Sequence, residues 1–301
     1  MATAWLTAAA SYLWQVALHA SIMGLIFYVW VHRIVVPSGR TKRRLLSAIL
    51  VLPLITAAIP GRTSIEFSER IAWLNSGRVL AVPLPFGFQL WHLVVLFAVV
   101  IAGLSIWQEL MPAFSHPAAS EALAPPWLVD LVRAKPGWQS CAVAVSPESS
   151  VLLATGGMPQ RPRVIVSQGA LDRLNASELD MVLAHEHAHW DGGRWLRSHA
   201  LFIVRMLQCY HPVALWVFRE YCIEVEVGCD AVAVTGRDHK ALARVLLGIY
   251  DATDLRDVAA RAAIRKRIDV LLAGGPVDDA LPPATEAVVW ALMLLVLPWI
   301  V

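Results

Sequence analysis

Asn175-Ala-Ser-Glu-Leu-Asp-Met-Val-Leu-Ala-His-Glu-His-Ala-His189 is the stretch on which the reading of this 301-residue chain turns. It contains the pattern HExxH as His185, Glu186 and His189. On a helix, residues four apart lie about 40° apart around the axis, so the two imidazoles project from one face. Imidazoles so placed can hold one zinc ion, and Glu186 beside them can take a proton from a water that the ion activates. The pattern recurs by chance in many chains, so its setting matters. Asn175 is placed to cap a helix, and Glu178 three residues later completes a capping box. No Gly or Pro interrupts Ala176 to Asp191. His187 is about 200° around the helix from His185, which makes it a packing or surface histidine and not a ligand.

A catalytic zinc takes three protein ligands and leaves one position open. The third is sought on the next long helix, which Pro212 opens and which runs to Val234. Glu226 and Asp230 share one face there, so Glu226 can bind the metal while Asp230 orients a ligand histidine. Glu220 and Glu224 have the same spacing and compete for the role. Cys229, next to Asp230, reads as a packed helix residue. The four cysteines (Cys141, Cys209, Cys222, Cys229) form no CxxC pair and read as reduced, mostly buried thiols. His199 and His211 have weak claims as ligands. Arg237 and His239 follow the second helix and can face an oxyanion, but a solvated loop is the plainer account.

The chain is 57% hydrophobic and only 16% charged, against about 25% charged in soluble proteins. The excess lies in long apolar runs, so a membrane protein with one polar catalytic domain is expected. A formal charge of +2 gives no reason to propose direct nucleic-acid contact. Trp5 to Val31 exceeds the roughly 20 residues that cross a bilayer, and no basic segment precedes it as in a signal peptide. Gln15 and His19 near its middle read as groups that hydrogen-bond between helices. His32 to Arg44 carries five Lys or Arg (Arg33, Arg40, Lys42, Arg43, Arg44) and no acid, which places that loop in the cytoplasm and the N-terminus outside.

A membrane domain over 1–110 is therefore expected, with spans at about 5–31, 45–60 and 88–108. The second contains Pro53, and Trp91 and Trp107 anchor the third at the interfaces. Gly61 to Gly87 reads as an external loop, in which Ile65, Phe67, Ile71 and Leu74 can form a surface helix or simply pack. A cytoplasmic domain follows over 111–278, entered through a linker at Ser115 to Pro126. Cys141 to Val145 and Arg163 to Ser167 read as strands joined by a turn-rich connection, Thr155 to Pro162. The free edge of the strand before the motif helix can bind an extended peptide. Leu196 to Phe218 is apolar, but Arg197, His199, Arg205, His211 and Pro212 interrupt it. It reads as two packed helices broken near Pro212 and close to the bilayer. Asp238 to Leu272 reads as helical, its end basic through Arg261, Arg265, Lys266 and Arg267. A fourth span, 281–301, holds Glu286 as its only charge.

With these features in view, the chain resembles the BlaR/MecR family of membrane metallopeptidases. The local matches are Arg161-Pro-Arg-Val-Ile-Val166, Leu179 to His189, His211-Pro-Val-Ala-Leu-Trp216 and Glu226-Val-Gly-Cys-Asp230. As architecture the resemblance covers the whole chain; it is specific only between about Thr155 and Val234. It implies an α-helical membrane protein with an inserted α+β zincin-like (HExxH gluzincin) metalloprotease domain, multi-pass in a bacterial cytoplasmic (inner) membrane. It implies one zinc ion held by His185, His189 and Glu226, and it prefers Glu226 to Glu224. It also implies cleavage of a cytoplasmic target, often a winged-helix repressor, in transmembrane signalling, with a homo-oligomer or a separate sensor partner as further expectations. With the sequence ending at Val301, the expectation is a member without the external penicillin-binding domain. HtpX-like quality-control proteases share the order of motifs, but membrane spans generally separate the two motifs there, whereas here the gap is short. A non-proteolytic zinc-binding scaffold is the third reading.

Overall fold

The computed structural model describes residues 2–33, 39–58, 76–110, 122–158, 161–252 and 257–274, with 287–288 and 290–291. In chain order the helices and strands begin with α1 (Ala2–Arg33), α2 (Gly39–Thr56), α3 (Ser76–Leu80) and α4 (Leu90–Ser105), which continues as a wider π turn, Ile106–Leu110. Then come β1 (Ala122–Leu123), α5 (Pro126–Arg133), β2 (Ala142–Ser146), β3 (Leu153–Met158), β4 (Arg161–Ser167) and α6 (Gln168–Arg173). The chain goes on through α7 (Ala176–Trp190), α8 (Arg194–Met206), α9 (Pro212–Ala233), α10 (His239–Ala252) and α11 (Val258–Leu272). It divides into two compact units, one of Met1–Ser115, His199–Cys222 and Asp279–Val301, the other of His116–Ser198 and Ile223–Asp278. Residues 199–222, expected with the catalytic domain, thus group with the N-terminal helices.

In the first unit, Ala4–Val31 and Leu90–Glu109 are long and apolar enough to cross a membrane. The expected second span is a helix, but it starts at Gly39, so the basic residues Arg40 to Arg44 are helical and not a loop. Lys and Arg are good helix formers, and nothing after Gly39 breaks the run before Pro53. Leu45, Leu46, Ile49, Leu50 and Pro53 turn inward from that helix. His19, fully buried, meets Thr56 Oγ1 at 2.8 Å, and Tyr12 donates to the Leu54 carbonyl. These side chains join α1 to α2 across otherwise apolar surfaces. Trp107 is exposed, whereas Trp91 is buried in a small core with Ala10 and Leu80, and its indole donates to Gln89. The expected surface helix at 65–74, most of the expected linker and all but four residues of the expected fourth span lie outside the described residues.

The second unit is built on a four-stranded sheet of order β1-β2-β4-β3. β2 and β4 are parallel, and the two outer strands are antiparallel to their neighbours. Thr155 to Met158, expected as a turn-rich connection, is most of strand β3, in register with Arg161 to Val164. The glycines that suggested a turn serve the hairpin: Gly157 has φ +90°, and a Cβ there would sit 2.5 Å from the Arg161 carbonyl oxygen. β4 is therefore paired on both sides, and the outer strand beside it is β3. Val164 and Val166 alternate inward with Val145 onto a core that holds Trp138, Leu128 and Val132 with Leu179 and Leu183 of α7. Ser167 ends β4 by capping α6: its Oγ accepts from Ala170 N and donates to the Ser150 carbonyl.

The motif helix forms where its capping signals place it. Asn175 Oδ1 accepts from Glu178 N at 2.9 Å, and Glu178 Oε2 accepts from Asn175 N at 3.1 Å. Asp238 to Leu272 is two helices instead of one. The first packs with α7, α9 and α11 in a second core around Met181, Leu242 and Leu246. Replacing Asn175 with Ala removes one half of the box and leaves the N3 amide without its side-chain acceptor. A loss of about 1 kcal/mol of stability is expected, read as a lowered thermal midpoint with zinc stoichiometry unchanged.

Candidate active site and metal centre

Three side chains from two helices converge in the second unit. α7 supplies His185 and His189 one turn apart, and α9 supplies Glu226. The two Nε2 atoms are 3.2 Å apart; Glu226 Oε1 lies 3.2 Å from His189 Nε2, and Oε2 lies 3.3 Å from His185 Nε2. Zinc bonds of about 2.0 to 2.1 Å in a tetrahedron place neighbouring ligand atoms about 3.3 Å apart. The triangle these residues form thus fits one face of a zinc tetrahedron, and its donor set of two imidazoles and a carboxylate suits that ion. The competing pair is elsewhere. Glu224 is buried against Lys266 at 3.1 Å, and Glu220 belongs to the other unit, 3.7 Å from Lys42.

Asp230, one turn beyond Glu226, is 1% exposed. Its Oδ1 lies 2.8 Å from His185 Nδ1, which turns the opposite ring nitrogen, Nε2, toward the metal position. Arg267 of α11 holds the same carboxylate in a fork, Nε to Oδ2 and Nη2 to Oδ1, both at 2.8 Å. Its Nη1 also lies 2.9 Å from Glu226 Oε2. Sequence reading placed Arg267 only in a basic helix end. The signal that could have found it was Asp230 itself, because a carboxylate on the buried face of a helix needs a cation.

Glu186 lies between the ligands in sequence and receives a hydrogen bond from Thr155 Oγ1 of β3 at 3.0 Å. Thr155 was not singled out from sequence, because its segment read as a turn. A cavity of about 240 Å³ opens beside these groups, with His185, Glu186, His189 and Arg267 on its polar side. Leu153, Val182, Leu246 and Ile249 make much of the remaining wall. His187 turns away, its Nε2 2.7 Å from the Pro136 carbonyl and its ring edge-on to Trp138. Arg237 is committed to Asp180 and the Ala233 carbonyl. His199 and His211 belong to the other unit, where His211 meets Ser21.

Burial opposes charge on His185 and His189, but their acidic neighbours win. Asp230 and Glu226 raise His185 to about 9, and contacts with Cys229 and Glu226 raise His189 to about 10. Burial likewise opposes charge on Glu226, yet the two imidazoles and Arg267 hold its carboxyl well below the usual carboxylate range. Asp230 is lowered too, against burial, by Arg267 and His185.

Comparison with known proteins agrees with this geometry. Residues 133–250 match the family described as Peptidase family M48, a span that includes His185, Glu186, His189, Glu226 and Asp230. A 70-residue stretch is 41% identical to "Protease HtpX homolog" of Chlorobium limicola, covering 22% of this chain and 24% of that protein. The chain thus matches about a quarter of the relative's length. These matches support a peptidase, and the zinc metallopeptidase type is what the M48 family implies. Neither match names the BlaR/MecR kind.

Two outcomes follow. A metal must displace the imidazole protons, so apparent zinc affinity falls as pH falls. Both imidazoles are shifted above neutrality, so binding near pH 7 releases protons, and the release fades as pH rises through the raised values. Calorimetric titration of metal-free protein in buffers of different ionisation heat reads that release. Asp230→Asn leaves all three ligands in place but loosens the orientation of His185. Zinc affinity is expected to drop roughly 10- to 100-fold, measured by competition with a chromogenic chelator.

Proposed function

We propose that this chain is an integral-membrane zinc metalloendopeptidase that cleaves protein substrates at the cytoplasmic face of a bacterial inner membrane. The observation that carries the reading is the triangle of His185, His189 and Glu226, with Glu186 beside it and a cavity in front. Bound there, zinc supplies Lewis acidity, which polarises a carbonyl and makes water more acidic. Glu186 accepts the proton of the attacking water and then passes one to the leaving amine. Thr155 fixes the carboxylate that performs both transfers. β3 is the outer strand of the sheet on that side, so an extended peptide can add to it with its scissile bond near Glu186. An aliphatic substrate side chain finds matching surface at Leu153, Val182 and Leu246.

Two biological settings use this chemistry equally well. In a BlaR/MecR-type setting one cytoplasmic target, a winged-helix repressor, is cut in response to a signal. In an HtpX-like setting many membrane proteins are cut for quality control; the relative from Chlorobium limicola carries the name "Protease HtpX homolog". A zinc-binding scaffold would not need Glu186, which here sits on the cavity wall with its own hydrogen-bond donor.

Glu186→Gln or Glu186→Ala is expected to abolish cleavage while zinc remains bound, since neither change touches a ligand. Comparing new protein N-termini in cells that express wild type or variant checks this. One strong Glu186-dependent cut in a small DNA-binding protein marks the signalling role, and many cuts in membrane proteins mark quality control. No difference, with zinc retained, overturns the protease reading.

A further inference from the structure

The segment between the two metal motifs carries a second piece of information. Residues 199–222 group with the N-terminal helices, and their side chains meet α1 and α2 at several points. Tyr210 donates to the Leu13 carbonyl, His211 Nε2 lies 3.1 Å from Ser21 Oγ, and Trp216 meets Phe27 at a tilt and Tyr28 edge-on. Val213 lies so close to Gly24 that a Cβ there would be 2.6 Å from its Cγ1, the tight approach that small residues permit between membrane helices. The fully buried Gln208 donates to the Leu50 carbonyl at 2.7 Å, within the turn that Pro53 disturbs. The first turns of α9 thus run beside the second half of α1, in the same direction, and reach Lys42 at Glu220.

These contacts set a depth. Ser21 lies ten residues before Val31, the end of the apolar run of α1, or about 15 Å at 1.5 Å per residue. That is about half of a 30 Å hydrocarbon core. The other end of the segment meets the basic start of α2 through Glu220 and Lys42. On the entering arm, Arg205 forms a two-pronged ion pair with Glu109, the last residue of the apolar run of α4, and lies over the rings of Phe202 and Phe218. The segment's outward surface is apolar, with Ile203 61% and Leu207 62% exposed, as Val99 of α4 is at 63%.

We propose that residues 199–222 form a re-entrant hairpin that dips into the bilayer to the level of Ser21 and Leu50 and returns to the side it entered from, its outer face covered by lipid acyl chains. This rests on the membrane reading above and goes beyond it. Glu226 follows the last hairpin residue, Cys222, by one turn on an uninterrupted helix. The third candidate metal ligand is then carried on a helix whose first half is anchored in lipid.

The test uses the full chain in sealed inverted and right-side-out vesicles, with the four native cysteines changed to Ala and zinc binding retained. Single cysteines are placed by I203C and L207C in the hairpin, by R197C and R219C at its two roots, and by V99C in α4. A water-soluble maleimide is expected to label R197C and R219C from the same side only. It is expected to leave I203C, L207C and V99C unlabelled from either side. A fluorophore attached through a lipid-permeant reagent at Leu207→Cys is expected to lose emission in lipids brominated at mid-chain. Labelling of I203C or L207C in intact vesicles, with V99C protected, overturns the hairpin and leaves the membrane reading intact. Labelling of the two roots from opposite sides overturns it in favour of a crossing. Protection at L207C without bromine quenching overturns it in favour of a protein neighbour. Labelling of V99C as well removes the membrane reading, and the hairpin with it.

Discussion

The burial of Asp230 is the constraint around which the catalytic unit is arranged. A carboxylate at 1% exposure stays charged only where cations meet both of its oxygens, and Arg267 and His185 do so from different helices. One side chain thereby fixes α7, α9 and α11 with respect to one another. Breaking such a pair from one side leaves a buried charge, at a cost of about 3–5 kcal/mol. The same contact determines which nitrogen of His185 is offered to a metal, so stability and ligand geometry are not separable here. It also explains why the helix after the motifs carries an arginine at position 267 that a reading of local charge alone leaves as solvated surface.

What the sequence made legible was what repeats at short range. The motif helix followed from an uninterrupted run with Asn175 and Glu178 in capping positions, and both capping hydrogen bonds are present. The convergence of Glu226 and Asp230 followed from a four-residue spacing, with a family resemblance needed to prefer them to Glu220 and Glu224. The interhelical bond of His19 followed from a polar group in an apolar run. The failures share a physical cause. Thr155 to Met158 carries two glycines and leads to prolines, so its local preference is a turn, and only pairing with β4 makes it a strand. Arg267 meets Asp230 across 37 residues, a separation that no periodicity signals. The basic start of α2 was read for its charge and not for its helix propensity.

Correcting the strand changes where a substrate is expected. With β4 paired on both sides, the available backbone edge moves to β3, and that strand also supplies the hydroxyl that holds Glu186. A peptide added there would meet the general base and the aliphatic wall of the cavity together. Thr155 and Leu153 come from that strand, and Glu186 and Val182 from the helix behind it.

The electrostatics of the cluster bear on how the site survives without metal. Glu226 and Asp230 lie one turn apart and would repel each other if left alone. The Arg267 guanidinium reaches both of them, and the two imidazoles, which the carboxylates shift upward, add to the offset. A metal bound between the imidazoles and Glu226 would compete with protons there, so its binding depends on pH. Arg267 is the part that does not exchange. It keeps Asp230 and Glu226 oriented in both states, which is why a residue that touches no metal position is as necessary to the arrangement as the ligands themselves.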